Sequence, residues 1–368
     1  MNPMFQNLMN EAARLTRGGD LHAATDAIQR ALQGGAMPAS ATSSHRPGVA
    51  ASADADVIEA EVRVIDEAPV AYAEPTDTPA ADSHAPAQWR DGSFAHGGRT
   101  LGYKLYLPPG AAAAAPMPLV LMLHGCTQDP ADFAAGTQMN RLAQAHGVAV
   151  LYPAQTRHAN AQGCWNWFKP QHQQRGRGEP ALLAALTRSV TAAERIDPAR
   201  VYVAGLSAGG AMADILGRAY PDLFAAVGVH SGLPTGAAND LMSALAAMRS
   251  GPATAAPSTR SAMPPLIVFH GDADGTVHVR NGAALVDGAL GGVAASPAPA
   301  RSGRSAAGRA YTRTDHPATA EHAAIEHWLL HGAGHAWSGG SATGSYTDPA
   351  GIDASAEMLR FFLAHARR

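Results

Sequence analysis

The run from Val201 to Gly210 passes from a buried-strand pattern through Gly205-Leu206-Ser207-Ala208-Gly209 into a helical one. A serine hydroxyl is a weak nucleophile at neutral pH, so chemistry at Ser207 requires a sharp turn to present it and a base beside it. Gly205 and Gly209 lack the Cβ atoms that would collide in such a turn. An ordinary glycine-rich turn fits the five residues alone, but Ser207 is the only serine flanked this way. Downstream, the apolar run Leu266–Phe269 ends in His270-Gly271-Asp272-Ala273-Asp274, which offers two carboxylates at the end of a strand. A carboxylate there accepts a hydrogen bond from an imidazole, fixing its tautomer and stabilising the imidazolium that forms. The histidines that follow are His278, His316, His322, His327, His331, His335 and His365. His335 stands in a glycine-rich loop after the last expected strand, where an imidazole can fold back toward Ser207. His327 alternates within a strand pattern and His365 lies on the last helical segment. His22, His45, His84, His146 and His322 read as surface or satisfied core residues.

Charge developing on an attacked carbonyl oxygen calls for two backbone N–H donors. Ala208, directly after the nucleophile, supplies one. The second is expected from the loop after the third strand, His124 to Gln128, where Cys126 is best placed. His124 precedes the nucleophile and reads as a loop-fixing residue. There is no His-Glu-x-x-His, no phosphate-binding glycine loop and no dinucleotide fingerprint, and the histidines are scattered, so this reading needs neither metal nor cofactor.

The elements that position these residues follow from periodicity. Short apolar runs at 119–123, 148–152, 201–204, 225–229, 266–269 and 325–330 alternate with helical spacing at 131–145, 179–195, 208–219, 281–289 and 354–366. That alternation predicts an α/β fold with a mostly parallel sheet covered by helices on both faces, the layout of an α/β-hydrolase. Phe94–His96 and Leu101–Leu107, separated by Gly97-Gly98, predict an antiparallel opening hairpin. Residues 1–33 carry two apolar stripes at helical spacing, a helical hairpin; 34–88 are rich in Ala, Pro and Ser and read as a linker; 89–368 form the catalytic domain.

Composition narrows the function classes. A net charge of −3 with no basic block excludes nucleic acid as the expected partner. No apolar run approaches the roughly 18 residues of a membrane span. Met1 to Arg17 carries Asn, Gln, Glu and Arg where a secretory signal has an uninterrupted apolar stretch. Two cysteines, Cys126 and Cys164, exclude a disulfide-rich scaffold and a four-cysteine zinc site.

Five ordered motifs, Leu123–Gln128, Gly163–Phe168, Gly205–Gly210, His270–Asp274 and Gly334–Trp337, resemble the polyhydroxybutyrate depolymerase family of esterases, close to feruloyl and acetylxylan esterases. The resemblance runs from about Trp89 to the C-terminus. It implies Ser207, Asp274 and His335 as a triad with Cys126 and Ala208 as oxyanion donors. The spacing His270-Gly-x-x-Asp274-x-x-Val277 is similar to the acid-bearing loop of many α/β-hydrolases, leaving Asp272 as a turn cap. The resemblance to the family also implies a Cys126–Cys164 disulfide that clamps the oxyanion loop, which favours an extracellular setting, against a cytoplasmic one from the missing signal pattern. Trp165, Trp167, Phe168 and Trp337 fall beside motif residues and are candidates to line a substrate site. The function expected is a serine esterase acting on short hydroxyacid polyesters or small esters. A feruloyl or acetylxylan carbohydrate esterase is the first alternative, and a non-catalytic binding protein on a hydrolase fold the second.

Overall fold

A computed structural model describes residues 86–111, 115–253, 263–293 and 297–367. The helical hairpin expected over 1–33 and all but the end of the linker over 34–88 lie outside the described residues. The described chain starts with β1 (Gln88–His96) and β2 (Arg99–Leu107), an antiparallel pair turning at Gly97-Gly98, which both have positive φ. There follow β3 (Met117–Leu123), α1 (Pro130–Thr137), α2 (Met139–His146), β4 (Ala149–Ala154) and α3 (Gly178–Ala193). Next come β5 (Ile196–Leu206), α4 (Ala208–Ala219), β6 (Ala226–His230), α5 (Leu241–Ser250), β7 (Leu266–Gly271) and α6 (Arg280–Leu290). The remainder comprises β8 (Arg301–Arg304), β9 (Ala310–His316), β10 (Ile325–Leu330), the short β11 (Trp337–Ser338) and β12 (Thr347–Asp348), and α7 (Ala354–Leu363).

Ten strands form one sheet in the order β1-β2-β4-β3-β5-β6-β7-β10-β9-β8. From β4 through β10 every neighbouring pair is parallel, and the antiparallel pairs lie on the two flanks. Side chains along a strand point alternately to opposite faces, and the core divides accordingly. Leu119, Leu121, Val201, Val203, Val227 and Val229 pack on one face; Val120, Met122, Tyr202, Ala204 and Phe269 pack on the other. Helices cover both, which makes continuous apolar runs the pattern of the central strands.

Three elements differ from the sequence expectation. The segment 131–145 is two helices, broken at Gln138, whose left-handed φ of 55° ends α1 and starts α2. Helix α5 was not foreseen; it starts at a reciprocal cap in which Asp240 and Ser243 bond each other's backbone. The β8–β9 hairpin at the sheet edge was also missed, because strands reading Arg301-Ser302-Gly303-Arg304 lack the apolar alternation that signals a half-buried strand. The loops leaving the carboxyl ends of β3, β5, β7 and β10 carry the residues with candidate chemistry, the usual ligand-facing edge of an open α/β sheet.

Candidate active site

Ser207 joins β5 to α4 at φ 58°, ψ −119°. A residue with a Cβ in such a conformation carries about 1–3 kcal/mol of strain. The turn is tight enough that a Cβ on Gly205 would lie 2.4 Å from the Gly209 backbone, and one on Gly209 would lie 2.0 Å from the Leu123 carbonyl oxygen. Its frame is hydrogen-bonded: the Ser207 N–H donates to the His230 carbonyl at 2.9 Å, and the Ala211 N–H donates to the Ser207 carbonyl at 2.9 Å. A serine at a helix start ordinarily spends its hydroxyl on a capping bond. Ser207 makes none, so Oγ is left for other use.

The loop after β7 holds Asp274. Its Oδ1 accepts the N–H groups of Thr276 (2.9 Å) and Val277 (2.8 Å), and its Oδ2 accepts His335 Nδ1–H at 2.8 Å. Burial pushes this carboxyl up, but the His335 hydrogen bond and charge, the Val277 N–H and His270 outweigh it and hold the group below its ordinary 3.8. With Nδ1 donating, His335 keeps the lone pair on Nε2. His335 and Ser207 Oγ are not hydrogen-bonded to each other in this structure, a looseness common before substrate tightens such a contact.

Two further histidines brace the site from beneath. The Nε2 of His270 donates to the Val277 carbonyl at 2.8 Å, bracing the residue whose N–H binds Asp274. His230 accepts the Ser338 N–H on Nε2 at 2.9 Å and stacks between Phe269 and Trp337, with ring centroids 5.8 and 5.2 Å away. Burial, aided by the charges of His270 and His335, pushes its pKa down to about 3, so the ring is neutral. Neither role was foreseen: both histidines end apolar runs that read as plain strand, and His230 meets its Ser338 partner 108 residues away. Asp272 forms a separate pair, accepting His331 Nδ1–H at 2.9 Å and the Gly332 N–H at 2.7 Å. It fixes the start of the loop that carries His335.

The candidate oxyanion donors lie on either side of Ser207. Among the described residues neither the Cys126 nor the Ala208 N–H finds an acceptor, which leaves both for a ligand. A Cβ on Gly125 would lie 3.7 Å from Ser207 Cβ, so the loop passes directly against the serine. His124 fixes this loop: Nδ1 donates to the Gly125 carbonyl at 2.7 Å while Nε2 accepts the Gln155 N–H at 3.1 Å. Burial holds its pKa down, opposed by the Gly125 bond and by Asp129 and Asp132. The sulfurs of Cys126 and Cys164 are bonded at 2.10 Å, tying the loop of the candidate oxyanion donor to the loop of Trp165.

Three of the four aromatic candidates are buried. Trp165 and Trp337 expose no surface. Trp165 donates from Nε1 to the His124 carbonyl at 3.1 Å; Trp337 stacks under His230 and donates to Ser355 Oγ at 3.0 Å. Both pack behind residues of the candidate site, Trp165 on His124 and Trp337 on His230. Trp167 is also buried, edge-on to Phe168, which is partly exposed. Tyr346 is exposed, and its hydroxyl lies 3.3 Å from Thr127 Oγ1 in the loop after β3. Its Ser-, Gly- and Thr-rich surroundings gave no sequence signal. Two cavities, of about 610 and 450 Å³, have neither Ser207 nor His335 in their walls.

Sheet order, crossover helices and the serine turn together define an α/β-hydrolase. An acetyl xylan esterase from Aspergillus awamori shares this fold, with a TM-score of 0.52 and 20% identity over 64% of this chain and 89% of that one. A family model described as Esterase PHB depolymerase matches residues 101–304, more than half of the 368 residues, and the chain belongs to that family. The match includes Ser207 and Asp274 and ends before His335. Among curated relatives, the poly(3-hydroxyalkanoate) depolymerase C of Paucimonas lemoignei is 36% identical over 48% of this chain and 44% of its own length. The poly(3-hydroxybutyrate) depolymerase of Ralstonia pickettii is 36% identical over 38% and 30%. Feruloyl esterase B of Thermothelomyces thermophilus is 32% identical over 33% and 41%. The chain spans less than half the length of these relatives.

Proposed function

We propose that this chain is a serine esterase that hydrolyses esters of short hydroxyacids, as polymer or as small soluble esters. The observation that carries the reading is the 2.8 Å bond from His335 to Asp274 at the same sheet edge as the strained, uncapped Ser207. In the proposed reaction Ser207 Oγ attacks the ester carbonyl while its proton passes to His335 Nε2. The oxygen, now carrying the charge, takes hydrogen bonds from the Cys126 and Ala208 N–H groups. His335 returns the proton to the departing alkoxide, leaving an acyl-serine. Water then attacks the acyl group, giving its proton to His335 and releasing the acid as Ser207 is re-protonated. Asp274 remains ionised throughout and holds the imidazole in the tautomer that accepts on Nε2.

Similarity to a feruloyl esterase favours a second reading, removal of acyl groups from plant polysaccharide. Its chemistry is identical, and specificity lies in the walls around Ser207. A screen of para-nitrophenyl butyrate, polyhydroxybutyrate film and methyl ferulate separates the two. Ser207→Ala tests both: it is expected to abolish turnover on every substrate with the fold intact, and a folded variant of near wild-type turnover refutes the assignment. Labelling by a fluorophosphonate separates an enzyme from a binding protein on this fold, since only an activated serine reacts.

A further inference from the structure

The oxyanion loop is held at a second point, away from the disulfide. Gln128 is buried beneath it. Its Oε1 accepts the Gly125 N–H at 2.9 Å, one residue before the Cys126 donor. Its Nε2 donates to Asp132 Oδ2 (3.1 Å) and to the carbonyl (3.1 Å) and hydroxyl (3.3 Å) oxygens of Ser345. Only one orientation of the amide satisfies these partners, because Gly125 brings a donor while Asp132 and the Ser345 carbonyl bring acceptors. Asp132 in turn accepts the Ser345 N–H at 2.8 Å and its hydroxyl at 2.5 Å. Ser345 belongs to the segment that begins at the His335 loop and doubles back, with the Trp337 N–H donating to the Tyr346 carbonyl at 2.7 Å and β11 pairing with β12.

We propose that Gln128, held by Asp132 and Ser345, is a positioning residue for the oxyanion hole, tying the Cys126 donor to the same segment that delivers His335. The base and one oxyanion donor then share a support, so their spacing is set before substrate arrives. A buried amide with each polar atom paired is suited to this, since its partners fix its position and polarity. This inference rests on the reading of Cys126 and Ala208 as oxyanion donors.

The test is Gln128→Leu in the full chain, assayed for kcat and KM on para-nitrophenyl butyrate, for binding of an alkylboronic acid, whose serine adduct mimics the tetrahedral intermediate, and for melting temperature. A donor displaced by up to an ångström is expected to cost about 10- to 100-fold in kcat. KM stays within about twofold, and boronate affinity falls in step with kcat. Gln128→Glu is expected to be impaired in the same way, because it loses the donor and sets a second carboxylate against Asp132. A folded Gln128→Leu that keeps kcat and boronate affinity, or one that changes KM alone, overturns the proposal. Should Gln128→Leu not fold, Ser345→Ala decides: it keeps the carbonyl contact and is expected to lose about two- to fivefold in kcat and in boronate affinity, and no change in either overturns the proposal. Ser207→Ala run alongside separates the failures, because activity there sinks the site assignment itself, whereas an inactive Ser207→Ala beside a fully active Gln128→Leu sinks only the clamp.

Discussion

Acid should unfold this protein through histidines that the fold keeps neutral. His230 is buried, with a pKa pushed from 6.5 to about 3 by burial and then by His270 and His335. His327, in β10, is pushed from 6.5 to about 4 by burial and then by His270 and His316. Above pH 6.5 both rings are neutral in the folded and unfolded chain, so they add no pH dependence. Below pH 6.5 the unfolded chain binds protons that the folded chain refuses, and unfolding gains. At pH 5, some 1.5 units below the unfolded value, each ring costs about 2 kcal/mol at about 1.36 kcal/mol per unit, about 4 kcal/mol for the pair. That is a large part of the roughly 5–15 kcal/mol by which a domain is stable. Asp274 and Glu179, both held below their ordinary 3.8 and 4.5, add most of their loss at still lower pH. The assay is urea unfolding between pH 7.5 and 5, with NMR titration of the His230 and His327 rings in the folded protein. A stability flat over that range, or folded-state midpoints near 6.5, refutes the reasoning.

Three further outcomes follow from the site. Asp274→Asn keeps an oxygen for the Thr276 and Val277 N–H groups but sets an amide nitrogen against His335 Nδ1; turnover is expected to fall by about 10⁴, the loss known for such a change in a serine protease. Asp272→Asn keeps an oxygen for the Gly332 N–H and removes the part-exposed pair with His331, and is expected to lose less than about tenfold; equal losses in steady-state kinetics, or the reverse order, overturn the assignment. Protein purified without reductant is expected to show no free thiol at Cys126 or Cys164 on titration after denaturation. Closing that loop, a sequence separation of 38 residues, stabilises by about 4 kcal/mol, so reductant should lower the urea midpoint, and two free thiols would remove the clamp. A chain beginning near Ala87 is expected to hydrolyse a soluble ester at close to the full rate, since each candidate site residue lies beyond it; a folded but inactive product would place part of the site in the first 86 residues.

What the sequence disclosed was local in origin. The serine turn is legible because its glycines are required by contacts within a few residues of one another or against the neighbouring β3, and β3 itself announces its burial as an unbroken apolar run. The same holds for α4, which occupies the residues 208–219 that its spacing predicts. Long-range pairing was legible only where the family motifs carried it, as for Asp274 with His335 and Cys126 with Cys164. Nothing near Asp272 specifies His331 rather than His335 as its partner, and the choice is made by the path of the loop after β10, where the Ala273 N–H donates to the Ala333 carbonyl at 3.1 Å. Depth escaped for a similar reason: Trp165 and Trp337 sit in loop sequence, which ordinarily means surface, yet these loops fold under the sheet edge to bond His124 and Ser355. Helix α5 was hard to read because its large Leu241, Met242 and Leu245 are exposed while the stripe it buries is mainly the small Ala244 and Ala247, a weak amphipathic signal. The serine turn and its sheet were therefore readable from periodicity and glycine placement, whereas the supports packed around the candidate site, Gln128 and His230 above all, are visible only once residues about 100 or more positions apart have been brought together.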